Sequence, residues 1–231
     1  DAGNRLPDKE LLWLSTAAKK HFTEVLRNAY HRLEADFCAD QYHRTQDPWN
    51  VVNASGHYRK CSQSKLALGL IESLPGDRLK HPKVQSAIFT THGGVMRDLG
   101  QRSVAIELGE KAHALMPKDY RPCTLLGAVH MELQQFETGH AWYEKARVRG
   151  APEKGINSEL RSIFQQLDLA GREAMKNFLL TEDSHQFQWL NENSPQRTKK
   201  HLRSGSCQVQ GRHSQGAKSA SSGKQPPKGS S

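Results

Sequence analysis

Paired cysteines are missing from this 231-residue sequence. The four present, Cys38, Cys61, Cys123 and Cys207, form no C-x-x-C pair and no dense framework. That excludes a disulfide-stapled secreted scaffold and points to a reduced, cytoplasmic setting. Long apolar runs are missing too. No stretch approaches the roughly 18 consecutive apolar residues that a membrane-spanning helix needs, and no signal-type segment opens the chain, so no membrane partner is expected. Catalytic fingerprints are likewise absent: there is no G-x-x-x-x-G-K-S/T loop, no G-x-G-x-x-G after a strand, no G-x-S-x-G and no H-E-x-x-H. No cofactor is implied, and the sequence leans away from catalysis.

Acidic residues are missing from one region. Of the 33 Lys and Arg, eight lie between Ser194 and Ser231, a stretch that holds none of the 24 Asp and Glu. Residues 1–193 are therefore almost neutral, and the formal charge of +9 belongs to the C-terminal end. That end is rich in Ser, Gly, Gln and Pro and poor in large apolar side chains, so it cannot offset the entropy of ordering. We read 194–231 as a disordered basic tail. Arg197, Lys199, Lys200 and Arg203 are its densest charge and suit sequence-independent attraction to phosphate backbones. Base stacking would need aromatic platforms, which the tail lacks. A solvated end with no partner is the competing reading.

What the sequence does contain is helical periodicity. Glu110-Lys111-Ala112 returns as Glu144-Lys145-Ala146, 34 residues later. In that register Gly93 falls on Gly127 and Leu99 on Leu133, giving two units, Ser86 to Asp119 and Tyr120 to Glu153. Each reads as two helices. Val84, Ile88, Val95 and Leu99, then Val104, Ala105, Leu108, Ala112 and Leu115, make two stripes divided at Gly100. In the second unit Leu125, Leu126, Val129 and Leu133 precede a Gln134-Gln135 turn, and Phe136, Trp142, Tyr143 and Ala146 follow it. Gly93, Ala105 and Ala112, and Gly127, Gly139 and Ala146, are small enough to let crossing helices approach closely.

These residues resemble the tetratricopeptide repeat (TPR) family, whose pattern is a 34-residue helix-turn-helix with fixed small, aromatic and Pro positions. Leu126-Gly127, Tyr143 and Ala146 match in the second unit; Gly93, Ala105, Ala112 and Pro117 match in the first. Phe89 and Cys123 stand where Trp is usual, Met96 and His130 where Tyr is usual, and Gly109 replaces a large aromatic. The resemblance implies an all-α helical-repeat solenoid of antiparallel helix pairs from about Pro7 to Glu192. Such arrays need at least three units, so the flanks must supply more. Residues 158–180 read as a capping helical pair, and Trp49 to Leu74 as a degenerate one. Upstream, Leu11, Leu14, Ala18, Phe22, Val25, Ala29 and Leu33 predict one long amphipathic helix with Asp8 as N-cap. The organisation expected is thus 1–80 an N-terminal helical region, 81–193 the repeats and caps, and 194–231 the tail.

In the family the first helix of each pair lines a concave groove that binds extended segments. The resemblance places Thr90, Arg97, Asp98, Arg121, Thr124 and Met131 there, with Ala87 and Glu132 beside them. Arg97 and Arg121 suit acidic side chains or a terminal carboxylate, because guanidinium matches carboxylate in two parallel hydrogen bonds; solvated surface charge is the alternative. Chaperone-binding relatives hold a C-terminal carboxylate with Lys and Asn where this chain has Thr90, Gly94 and Thr124, so that clamp is absent. The function expected is a non-catalytic scaffold for a partner protein or for a neighbouring domain of its own parent chain. A nucleic-acid-associated module using the tail is the alternative, as is the C-terminal interaction region of a larger enzyme, since the sequence opens on Asp1. Two weaker patterns are present. Cys38-x4-His43 with His57-x3-Cys61 departs from metal-site spacing, and Arg27 with His31 is spaced too closely for the Arg-His motif of helical ribonucleases.

Overall fold

In the computed structural model residues 5–76 and 81–192 are described, and among them every regular element is helical. In chain order these are α1 (Asp8–Ser15), a 3-10 turn (Lys19–His21), α2 (Glu24–Thr45), α3 (Pro48–Lys60), α4 (Ser64–Glu72), α5 (Pro82–Asp98), α6 (Arg102–Leu115), α7 (Tyr120–Glu132), α8 (Phe136–Val148), α9 (Glu153–Gln166), α10 (Leu169–Glu182) and α11 (Trp189–Glu192). Neighbours in sequence pack as pairs, and α5 bridges them by touching α3, α6 and α7. The basic residues assigned to the tail lie outside the described residues.

The long N-terminal helix is not formed. Thr16 donates its hydroxyl to the Leu12 carbonyl at 2.6 Å, and Ser15 donates to the same oxygen at 3.0 Å. The backbone closes there: the Thr16 N–H still bonds the Leu12 carbonyl at 3.1 Å, and Ala18 donates five residues back to Trp13 at 2.9 Å, which turns the chain out of α1. Helix α2 then starts afresh with Thr23 accepting from the Leu26 N–H at 3.4 Å. Asp8 is not a cap either: Pro7 takes the N-cap position without a side-chain bond, and Asp8 is the first residue of α1. Val25, expected on the buried stripe, is 79% exposed.

Three turns, those after α3, α5 and α7, share one geometry, which recurs after α8, where Gly150 (φ 85°) is left-handed and Ala151 donates to Ala146. Ser62 (φ 60°), Gly100 (φ 79°) and Gln134 (φ 59°) each sit in the left-handed region. In each turn the next residue, Gln63, Gln101 or Gln135, donates its N–H five residues back, to Tyr58, Met96 or His130. This is the Schellman closure, which satisfies carbonyls that a helix end would otherwise leave bare. It fixes α3/α4, α5/α6 and α7/α8 as three hairpins of the same kind. Side chains start the first helices: Asp47 caps α3, His81 caps α5 and Asp119 caps α7.

The expected small residues lie at the crossings. A Cβ on Gly93 would stand 3.1 Å from the Ala105 carbonyl oxygen, and one on Gly139 would stand 3.0 Å from that of Gly127. Ala105, Ala112 and Ala146 are fully buried. The core falls into three clusters, one across α2 to α5, one across α5 to α7 and one from α7 to α11. The last contains Phe187, Trp189 and Leu190, all buried, in a segment for which the sequence pattern gave no helix.

Candidate functional site

The first helices α5, α7 and α9 lie side by side, and a charged ladder crosses them. Arg97 on α5 donates to Glu132 on α7 at 2.7 Å and to Glu159 on α9 at 2.5 Å. Arg102 reaches the other oxygen of Glu132 at 3.0 Å. The Arg97 and Glu132 side chains are only 13% and 12% exposed, so this ladder works in a partly desolvated setting. Burial alone would lower the Arg97 pKa; the carboxylates of Glu159 and Glu132 overcome it and hold the guanidinium charged.

Between these helices opens a cavity of about 330 Å³. Its walls combine apolar groups, Tyr120, Leu125, Ala128 and Ile156, with the guanidinium groups of Arg59, Arg97 and Arg121 and one carboxylate, Glu159. A second cavity of about 820 Å³ shares Arg59, Arg97 and Glu159 with the first and adds Lys60, Lys65, Asp98 and Arg102. The two therefore adjoin along those three side chains of the groove.

Of the residues read from the sequence, Thr90, Arg97, Arg121 and Thr124 line the first cavity. Thr90 and Thr124 donate their hydroxyls to carbonyls of their own helices, Ser86 at 2.7 Å and Arg121 at 2.8 Å. Arg121 is the open cation: its side chain is 64% exposed, it lies over the Tyr120 ring at 5.1 Å, and it meets Asp119 only at 3.3–3.4 Å. Arg97, in contrast, is engaged within the fold. Asp98 lines the second cavity and accepts from Arg59 at 2.7 and 3.1 Å and from Ser64 at 3.0 Å. Met131 does not face the groove. It is fully buried, because Gly139 leaves a hollow on α8 into which its side chain packs.

Three residues escaped sequence reasoning. Arg59, on α3, reaches across to α5: an added Cβ on Gly94 would lie 2.6 Å from its Cζ, so the glycine leaves room for the guanidinium. Glu159 lies beyond the repeated tripeptide. Tyr143 matched the family pattern as a packing residue, yet it lines the cavity, is 1% exposed, and its buried hydroxyl meets no hydrogen-bond partner among the described residues. Burial, then the Glu159 carboxylate, push the phenol pKa upward, which keeps the hydroxyl protonated.

A second titratable cluster occupies the α2/α3 hairpin. His31 and His57 face each other with their Nδ1 atoms 3.1 Å apart, while Glu34, almost buried, accepts two bonds from Arg5 at 2.8 Å. Cys38 is half-buried and Cys61 buried, each with its thiol pKa raised first by burial. Among the described residues no group of three or more His, Cys, Asp or Glu is placed to hold a metal ion. Nor is any helix among them long and apolar enough to cross a membrane. The chain matches no family model, no curated protein and no solved structure.

Proposed function

We propose that the chain is a non-catalytic scaffold of the tetratricopeptide type, in which α5, α7 and α9 are the first helices of successive units and their shared groove holds an extended segment of a partner protein. The observation that carries this reading is the cavity of about 330 Å³ spanning the three helices, with apolar walls and converging guanidinium groups. A groove of that composition gives an extended chain both contact area and orientation. The Arg97 ladder favours the same reading, because helices tied together before binding lose less freedom when a partner arrives.

The test is photo-cross-linking in cells with p-benzoylphenylalanine at Thr124, on the cavity wall, or at Val148, which is 86% exposed on α8 and absent from the cavity lining. A defined polypeptide joined to the Thr124 position and not to the Val148 position is the expected result. No product at Thr124, or the same products from both positions, would remove the groove from consideration.

A further inference from the structure

Large apolar side chains left in water are ordinary when they stand singly. Among the described residues eight stay exposed, and four of these, Leu12, Trp13, Val25 and Phe37, lie on α1 and α2. Leu12 and Trp13 are neighbours, 64% and 58% exposed. With Lys9 and Thr16, both exposed, they keep the helical spacing i, i+3, i+4, i+7 and so form the outward face of α1. Leu11 and Leu14 turn the other way and are half-buried. Helix α1 is thus apolar on both sides, yet it packs chiefly on the 3-10 turn that follows it. A helix that is apolar all round belongs under a cover.

The two ends of the helical unit differ in this respect. Proteins built of stacked helical pairs need a polar outer face on their terminal units. At the C-terminal end Phe187, Trp189 and Leu190 are buried and close the last core cluster; at the N-terminal end Leu12 and Trp13 face water. The charges beside the pair say what fits there. Asp8, Lys9 and Glu10 before it carry a net charge of −1, and Lys19 and Lys20 after it carry +2. Glu10, Lys19 and Lys20 are all exposed, and the two lysines belong to the 3-10 turn packed against α1. Glu24 and Arg27, at the start of α2, cancel. A segment acidic before its apolar centre and basic after it complements itself when one copy is turned end for end.

We propose that α1 and the 3-10 turn after it are a dimerisation surface, on which a second copy of this chain docks antiparallel about a two-fold axis through Leu12 and Trp13. In such an interface every contact is made twice. The apolar pair of one protomer meets that of its partner, and Glu10 of each comes against Lys19 and Lys20 of the other. The Trp13 ring supplies most of the contact area, and Lys9 lays its stem along it. An anionic lipid surface fits less well, because it attracts Lys19 and Lys20 but repels the carboxylates of Asp8 and Glu10 beside the apolar pair. The groove is not involved, so a dimer leaves both of its grooves open.

Sedimentation velocity of the full chain, from about 1 to 300 µM at about 150 mM salt, tests this. A monomer–dimer equilibrium is expected. Leu12→Ala/Trp13→Ala should weaken it at least about a hundredfold, since each truncation counts twice. The melting temperature of the dilute protein should not change, because both side chains are exposed and alanine suits a helix. Lys19→Glu/Lys20→Glu should weaken the dimer about tenfold, even though it lowers the repulsion between two chains of formal charge +9. Adding Glu10→Lys to that variant reverses both ends and should bring the affinity back to within about threefold of the native chain. A monomer at every concentration overturns the proposal, as does a dimer indifferent to Leu12→Ala/Trp13→Ala. A Lys19→Glu/Lys20→Glu chain that dimerises more tightly, or one that Glu10→Lys does not rescue, overturns the antiparallel pairing. A chain that stays monomeric yet sediments with phosphatidylserine vesicles, and no longer does so as Leu12→Ala/Trp13→Ala, puts lipid on this face in place of a second copy.

Discussion

At the scale of single residues, space decides more than polarity. Gly139 and Gly69 are both helical glycines, yet they have opposite reasons to be there. A Cβ at Gly139 would lie 2.8 Å from Met131 Cγ and 3.0 Å from backbone atoms of α7, whereas one at Gly69 meets nothing within 4 Å. Backbone cannot rotate aside, so Gly139→Ala must push α8 from α7. We expect a loss of about 1–2 kcal/mol, the overpacking penalty less the gain in helix propensity. Gly69→Ala carries only the second effect and should gain about 0.5–1 kcal/mol. Urea midpoints of the two variants check this, and a stabilised Gly139→Ala would contradict the close approach. Arg59 belongs to the same scale: its guanidinium stands in the groove because Gly94 has no side chain.

At the scale of elements, the turns hold the repeat together. The left-handed turn position is Gly at 100 but Ser at 62 and Gln at 134. An L-residue there crowds its own Cβ against the backbone, a strain glycine avoids. Gln134→Gly should therefore stabilise the α7/α8 hairpin, by about 0.5–1 kcal/mol after the larger entropy of the unfolded glycine chain is subtracted. Gly100→Ala should do the reverse; melting curves of the pair test whether the Schellman geometry is what limits these hairpins. The turns also explain what the sequence could disclose. Helices α5 to α8 were legible because Glu-Lys-Ala and the small residues at the crossings recur with one period. The α3/α4 hairpin has the same turn without those residues, so Arg59 was invisible. The break after α1 was hidden for a different reason: the apolar spacing from Leu11 to Val25 is helical, and no Gly, Pro or Asn marks the turn that closes from Ala18 onto Trp13. Of the groove, the arginines and threonines of α5 and α7 were legible. Met131 and Tyr143 were not, since which side of a helix faces a cavity depends on the neighbour, here Gly139 and Gly127.

At the scale of the whole molecule, stability is distributed over three core clusters, and acid does not strike them equally. Burial is the first cause of a lowered pKa at His31, His57, His92 and His113, which lie on α2, α3, α5 and α6. His31 is displaced furthest, to about 4, with Lys60, His57 and Arg27 adding to the burial and Glu34 opposing them. At His57, Lys60 again adds to the burial. The folded state favours neutral rings, and the unfolded chain binds protons near pH 6.5. These histidines therefore contribute their full stability above pH 6.5, and it is lost as pH falls from there toward 4. Two protonated rings with Nδ1 atoms 3.1 Å apart cannot both be accommodated, so the α2/α3 hairpin should open first. Amide hydrogen exchange at pH 7 and pH 5, corrected for the intrinsic rate, is the decisive measurement, because it resolves local opening that a single melting temperature averages. Protection in α2 and α3 is expected to fall by more than that in α7 to α10, and His57→Gln to remove most of the difference between the two pH values. Equal loss along the chain would mean that the three clusters open as one cooperative unit and that the histidine pair has no special part in holding the N-terminal helices.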